Sequence, residues 1–313
     1  MKPHPNMRET YGLSLVELGR ENRDVVALEA DLGKSTRSVL FQEAFPDRYF
    51  QMGIAEQNMA ATATGLALVG KIPFIHSFAV FAAGRAFDQL RNTISIPRLR
   101  IRICGSSCGF SDFGDGKTHQ SVEDVAIMRS LPNMKVLSPV DSIETIKMME
   151  CLIDWPGPVY IRINRSDLPF LFPVCEPYRI GKITKLREGS DVALLAAGVM
   201  VSRSLEAAGL LAEKGISARV LNLSTIKPMN REALIEAVIG VRAIVVSEEH
   251  NIVGGLGGAV LEALRAVPHA PVELVGIKDC FGMSAANYDE ILCRFGLTGP
   301  AIAEAAMDLL RIS

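Results

Sequence analysis

The sequence predicts an α/β protein of two domains, each a mostly parallel sheet flanked by helices. Two observations carry that reading. Short apolar runs alternate with longer helical patterns along most of the chain, as strands joined by crossover helices must. The alternation breaks once, at LPFLFPVCEPYRIGKITKLREGS (168–190), where three prolines precede a charged turn and a second alternating series begins after it. A chain of 313 residues has room for two domains at roughly 100–200 residues each.

The elements of the first series come in order. DVVALEAD (24–31) reads as a buried strand ending in an acid. IAEQNMAATATGLALVG (54–70) reads as an Ala-rich helix ended by Gly70. IPFIHSF (72–78) reads as a strand and AAGRAFDQLRNTI (82–94) as a helix. LRIRICG (99–105), MKVLSP (134–139) and PVYIRIN (158–164) are further strands. DSIETIKMMECLI (141–153) is a helix capped by Asp141 or Ser142. In the second series DVALLAAG (191–198), ARVLNLST (218–225), RAIVVSEE (242–249) and PVELVGI (271–277) are strands with helices between them.

Bulk properties narrow the function. Apolar residues make up 49% and charged residues 22%, as a globular protein with a large core requires. A net charge of −2 gives no electrostatic case for nucleic acid or a membrane surface. The longest apolar runs fall far short of the ~20 residues that span a bilayer. The opening MKPHPNMRET is polar rather than a basic and apolar leader, so a cytoplasmic protein is expected. The six cysteines include no CxxC pair and read as reduced thiols, several of them buried.

Several short stretches carry potential chemistry. Glu56 in GIAEQNM stands at a helix start, where the macrodipole favours an acid in any case. Phe78 and Phe81 lie between a strand and a helix, where they either stack on a flat heterocycle or fill core. In DFGDGKTHQS (112–121) the GDG resembles the start of a diphosphate–metal motif. That motif needs an asparagine-rich partner about a helix later to complete the Mg²⁺ oxygens. Asn133 comes too early and behind a proline, and no NN pair appears, so the reading fails. Asp115, His119 and Gln120 remain as polar groups on a glycine-rich loop. Arg162 and Arg165 lie at and after the end of a strand, where they either fork onto a phosphate or carboxylate or form a surface or interdomain salt bridge. VGGLGGAV (253–260) does not fit G-x-G-x-x-G and reads as tight loop-to-helix packing, with an anion site as the other option.

Taken in order, DxGxS (31–35), GIAEQNM (53–59), SFAVFAAGRAFDQLRN (77–92), DGxTHQxxED (115–124) and RxNRSDLP (162–169) resemble the pyrimidine-binding half of transketolase. KPMN (227–230) and EEHNIVGGLGGAV (248–260) resemble the carboxy-terminal domain of the same family. The resemblance covers nearly the whole chain and leaves out the family's diphosphate- and metal-gripping domain. It implies a pyrimidine-binding domain at 1–170, a linker at 171–189 and a transketolase C-terminal domain at 190–313. It implies the C-terminal subunit of a split enzyme that transfers a two-carbon ketol unit from a ketose phosphate to an aldose or its phosphate. Thiamine diphosphate would be shared with an N-terminal partner subunit that also binds Mg²⁺ or Ca²⁺, so no metal ligands are expected here. An α2β2 assembly is then the simplest closed arrangement, and the small-residue helix face around AATATGLAL is a candidate contact.

The resemblance also assigns residues. Glu56 matches the glutamate that hydrogen-bonds the pyrimidine ring and helps remove the thiazolium proton. Phe78 and Phe81 match its aromatic platform, and Asp31 an acid beside the cofactor. Asp115 and His119 match groups that recognise the donor's ketol end. Ser35 and Arg165 match the holders of the acceptor's phosphate. One departure stands out: SSCGFSDF (106–113) places Ser107 where the family often has histidine. That points to a branched, sulfonated or otherwise unusual sugar, with Cys108, Phe110 and Phe113 shaping its pocket.

Three other readings compete. A 1-deoxyxylulose-5-phosphate synthase also carries DGxTHQ, but on one long chain. The β subunit of a 2-oxoacid dehydrogenase has this size, but usually HSQ in place of that element. A non-catalytic partner would keep the fold and lose members of the set Glu56, Phe78, Phe81, Asp115 and His119, all of which are present.

Overall fold

The computed structural model describes residues 2–312. Twelve strands are named in chain order among the described residues: β1 (Val25–Glu29), β2 (Tyr49–Gln51), β3 (Ile72–Phe78), β4 (Arg102–Ser106), β5 (Lys135–Leu137), β6 (Val159–Ile163), β7 (Thr184–Arg187), β8 (Val192–Ala196), β9 (Ala218–Asn222), β10 (Thr225–Lys227), β11 (Ala243–Asn251) and β12 (Val272–Ile277). They form a seven-stranded sheet, β10-β5-β6-β4-β3-β1-β2, and a five-stranded sheet, β12-β11-β8-β9-β7. All pairings are parallel except β10 with β5 and β7 with β9. β1, β3, β4, β6 and β8 are buried along their whole length, and in all of them but β4 (RICGS) apolar residues predominate, as strands covered on both faces require.

Four features depart from the sequence expectation. The opening segment, to which the sequence assigned no element, holds a helix, Met7–Glu21, that buries Met7, Tyr11, Leu15 and Leu18. The stretch 82–94 is broken into helices Ala79–Gly84 and Phe87–Gln89 and a π-helical turn Leu90–Ser95. Such a turn inserts a residue into the ladder and re-aims the chain after it. ARVLNLST is not one strand, because β9 stays in the second sheet while β10 crosses to the edge of the first. Part of the stretch read as linker, Thr184–Arg187, forms the edge strand β7.

The two sheets are knitted together by buried polar groups. Glu144, on helix Ser142–Leu152, accepts from Asn222 and Ser224. Asp141 caps that helix through the Glu144 amide and also accepts from the amides of Leu171 and Phe172. The first domain's Asp124 and Arg162 pair at 2.8 Å, and Arg162 also donates to the Glu249 carbonyl of the second.

Candidate active site

The candidate residues gather at the carboxyl ends of β1, β3, β4 and β6, where open α/β sheets place their ligands. Glu56 opens helix Glu56–Leu68, and its side chain is only 3% exposed. Ser77, near the end of β3, donates to its Oε1 at 3.2 Å. Arg85 donates to the same oxygen at 3.1 Å and reaches out to solvent, its side chain 50% exposed. An open pocket lined by Ile54, Ala55, Glu56, Gln57 and Arg85 lies over the carboxylate.

Phe78 and Phe81 leave β3 and enter the next helix with their rings nearly parallel, 15° apart and 6.1 Å between centroids. His119 meets both rings edge-on, at 6.1 Å and 5.4 Å. Arg85 lies 4.1 Å over the Phe81 ring and Arg165 lies 6.0 Å over Phe78. The aromatic pair thus has a carboxylate–arginine pair on one side and a histidine with a second arginine on the other.

A second group of charges lies beside Arg165. Asp112 pairs with Arg165 at 2.6 Å. Burial pushes the Asp112 carboxyl up, against the pull of Arg165, and nearby Asp115 adds to the rise. Arg8 donates to the Ser35 carbonyl at 3.0 Å. Burial lowers the Arg8 guanidinium, and repulsion from Arg165 and Arg37 lowers it further. Arg8, Arg37 and Arg165 thus stand among Glu9, Asp112 and Asp115 next to Ser35, three guanidiniums against three carboxyls.

Backbone strain marks two of the candidates. Asp31 has φ +63° and Ser107 has φ +53°, the left-handed region that non-glycine residues rarely adopt. Asp31 is exposed, as is Asp115 at the start of the turn Gly116–Thr118. Ser107 is fully buried, and its hydroxyl has no hydrogen-bond partner among the described residues. The structure does not bring it to the open side with Phe81 and His119. Cys108 and Phe110 also turn inward: Phe110 packs on Phe295 of the second domain at 4.5 Å, and Cys108 lines a small cavity between the domains. Of the three residues expected to shape an acceptor pocket, Phe113 alone is partly open.

Two open questions are settled by contacts. Arg162 forms a buried salt bridge within the first domain, to Asp124, and reaches the second domain through a hydrogen bond to the Glu249 carbonyl, so it is neither a surface pair nor free to take a phosphate. The amides at the start of helix Leu256–Leu264 are occupied as well, because the Glu248 carboxylate accepts from Leu256 and Gly257. VGGLGGAV is packing, with an internal carboxylate where an anion would sit.

Arg8, Arg37, Arg85 and Asp112 were not singled out by sequence reasoning. Arg85 had a signal, since it lies four residues after Phe81 in FAAGR, one helical turn on. Arg8 had none, because its neighbours Ser35 and Arg165 are distant in sequence.

Fold and site together define a class: a two-domain α/β protein that sets a buried acid, a parallel phenylalanine pair and an arginine cluster along one sheet edge. Residues 4–170 match the family described as transketolase, pyrimidine binding domain, and residues 181–302 match transketolase, C-terminal domain. The chain belongs to the transketolase family. It is 39% identical over 303 residues to the 6-deoxy-6-sulfo-D-fructose transketolase subunit SqwH of Clostridium sp., covering 97% of this chain and 94% of that one. It is 34% identical over 305 residues to an apulose-4-phosphate transketolase subunit of Phocaeicola vulgatus, covering 97% of each. A solved structure titled as a split gene transketolase, an inactive β4 tetramer, superposes with a TM-score of 0.88 at 43% identity and 98% coverage of both chains. The chain is accordingly a split transketolase-family subunit. No helix among the described residues is long and apolar enough to cross a membrane.

Proposed function

We propose that this chain is the C-terminal subunit of a thiamine diphosphate-dependent transketolase, active only with an N-terminal partner subunit. The observation that carries this reading is the convergence of Glu56, the Phe78–Phe81 pair and His119 on one face. The donor set suits the pyrimidine end of the cofactor: apolar ring faces for stacking, and a buried carboxylate able to accept from or share a proton with a ring nitrogen. When bound, thiamine diphosphate supplies a carbanion that attacks a ketose carbonyl and stores the electron pair after bond cleavage.

Each of the chain's own residues has a role in this reading. Glu56 presents a carboxylate that accepts or shares a proton at the pyrimidine edge, with Ser77 and Arg85 fixing its orientation. Phe78 and Phe81 fix the plane of the ring, and Asp31 stands beside the cofactor. His119 contacts the ketol oxygen and Asp115 the hydroxyl next to it. Arg165 and Ser35 hold the acceptor's phosphate, and Arg8 joins them. Ser107 reaches substrate only if its buried hydroxyl is uncovered on assembly, so it carries the least weight in this set.

The partner would bring the diphosphate site and its Mg²⁺ or Ca²⁺. The words subunit and split gene in the names of similar proteins support that division. Relatives named for sulfofructose and apulose phosphate support an unusual sugar, in keeping with the missing histidine at Ser107. Self-association in an α2β2 assembly is supported by uncovered apolar surface at the cofactor helix: Ile54, Leu68 and Val69 are 73%, 69% and 75% exposed. The test is reconstitution. Ketol transfer and tight thiamine diphosphate binding are expected from the mixture of the two subunits and from neither alone. Full cofactor affinity in this chain alone overturns the reading.

A further inference from the structure

The loop from Ser107 to Gln120 belongs to the first domain, yet three of its anchors lie in the second. The Phe110 amide donates to Glu249 Oε1 at 2.8 Å. The Phe113 carbonyl accepts from the Ala285 amide at 2.9 Å. Gln120 Nε2 donates to the Met283 carbonyl at 2.9 Å and back to the Asp112 carbonyl at 3.2 Å. Asp115 and His119 lie between the last two anchors. The second domain's side of the clamp is itself fixed, since Tyr288 donates to Glu249 Oε1 at 2.7 Å and accepts from Asn164. Gln120 and Glu249 are both buried. Gly282 lies so close that an added Cβ would fall 1.8 Å from Gln120 Oε1.

We propose that Gln120 and Glu249 are positioning residues through which the second domain sets the Asp115–His119 loop and thereby donor-sugar binding. The link to the donor rests on the functional reading above; the clamp itself rests on the contacts. The second domain reaches the site through backbone groups and one carboxylate. Loss of either anchor should loosen the loop, and with it the Asp112 partner of Arg165, while Glu56 and Phe78, which stand on other elements, keep their places.

The experiment uses the chain co-assembled with its N-terminal partner, with whichever of D-xylulose 5-phosphate, 6-deoxy-6-sulfo-D-fructose and apulose 4-phosphate the wild-type assembly turns over as donor and D-ribose 5-phosphate or D-glyceraldehyde 3-phosphate as acceptor. Gln120→Met, Gly282→Ala and Glu249→Leu are compared with Glu249→Gln, which keeps the Oε1 acceptor. Each loosening variant should raise the donor KM about tenfold, the scale of a lost hydrogen bond, with kcat within about twofold and a smaller rise in the acceptor KM through the Asp112–Arg165 pair. Glu249→Gln should stay near wild type. Hydrogen exchange of the isolated chain should quicken at residues 110–120 in the loosening variants and nowhere else. A parallel fall of kcat, both affinities and melting temperature, or no change in any of them, overturns the proposal. A wild-type assembly without ketol transfer from any of the three donors sinks the functional reading instead. The exchange measurement then decides the clamp: local quickening supports it, and unchanged or chain-wide exchange rejects it.

Discussion

Arg85 lies 3.1 Å from one carboxylate oxygen of Glu56 and 3.3 Å from the other, so the candidate proton carrier is ion-paired on its solvent side. Glu56→Gln keeps the shape and removes the group able to take up and release a proton. Turnover of the reconstituted enzyme should fall roughly 10²–10⁴-fold. Arg85→Leu leaves the carboxyl in place but loses its orienting partner and the contact with Phe81, so a smaller loss of about tenfold is expected. Steady-state kinetics of both variants check this. Glu56→Gln at more than half of wild-type turnover would end the proposal.

Arg8 makes a sharper test of the phosphate edge, because no motif points to it. Its guanidinium is half-buried, holds the Ser35 carbonyl and faces Arg165 and Arg37. Two cations pushed together are stabilised by an anion between them. Arg8→Ala should raise the KM of a phosphorylated acceptor about ten- to a hundredfold, the range of a charge-assisted hydrogen bond. It should leave the same aldose without phosphate unaffected. Equal losses for both acceptors would place Arg8 outside the phosphate site.

The sequence shows the central strands plainly and the edge strands poorly. β1, β3 and β6 are buried on both faces, so each is a nearly unbroken apolar run. β2, β7 and β10 have three or four residues each and read YFQ, TKLR and TIK, too short and too polar for a periodic signal. An apolar run also does not say which sheet receives it. ARVLNLST therefore conceals the crossing from one domain to the other. The site divides the same way. Glu56, Phe78, Phe81, Asp115 and His119 stand within short motifs and were legible there. The pairing of Arg85 with Glu56, the approach of Arg8 to Ser35 and the grip of Glu249 on Phe110 join residues brought near only by the fold.

The grip of Glu249 depends on Gly109. That residue has φ +59°, and a Cβ there would lie 2.3 Å from the Glu249 carboxyl carbon. Gly109→Ala meets both a left-handed backbone and a buried side chain that cannot withdraw without losing Phe110 and Tyr288. Destabilisation of roughly 2–4 kcal/mol is expected. Chemical unfolding of the isolated chain measures it, and a change under about 0.5 kcal/mol, the scale of an ordinary surface substitution, contradicts the packing described.

Glu144 ties the two domains and should make their union pH-dependent. Burial pushes its carboxyl up from 4.5 to about 7, against the hydrogen bonds from Ser224, Val140 and Asn222 that favour the charge. Between those two values the folded chain holds a proton that the unfolded chain has released. Its contribution to stability is therefore fullest below the unfolded value and is lost as pH rises through about 7. Glu144→Gln is neutral throughout and escapes that loss. It starts with its own cost, because the new amide faces the Val140 N–H that the carboxylate accepted. Relative to wild type, however, it should gain on the order of 2 kcal/mol as pH rises from about 5 to about 8. Urea midpoints of both proteins across that range give the slope directly. A difference that stays flat with pH would mean that Glu144 is ionised in the folded chain throughout, and that Asn222 and Ser224 hold a charge rather than an acid.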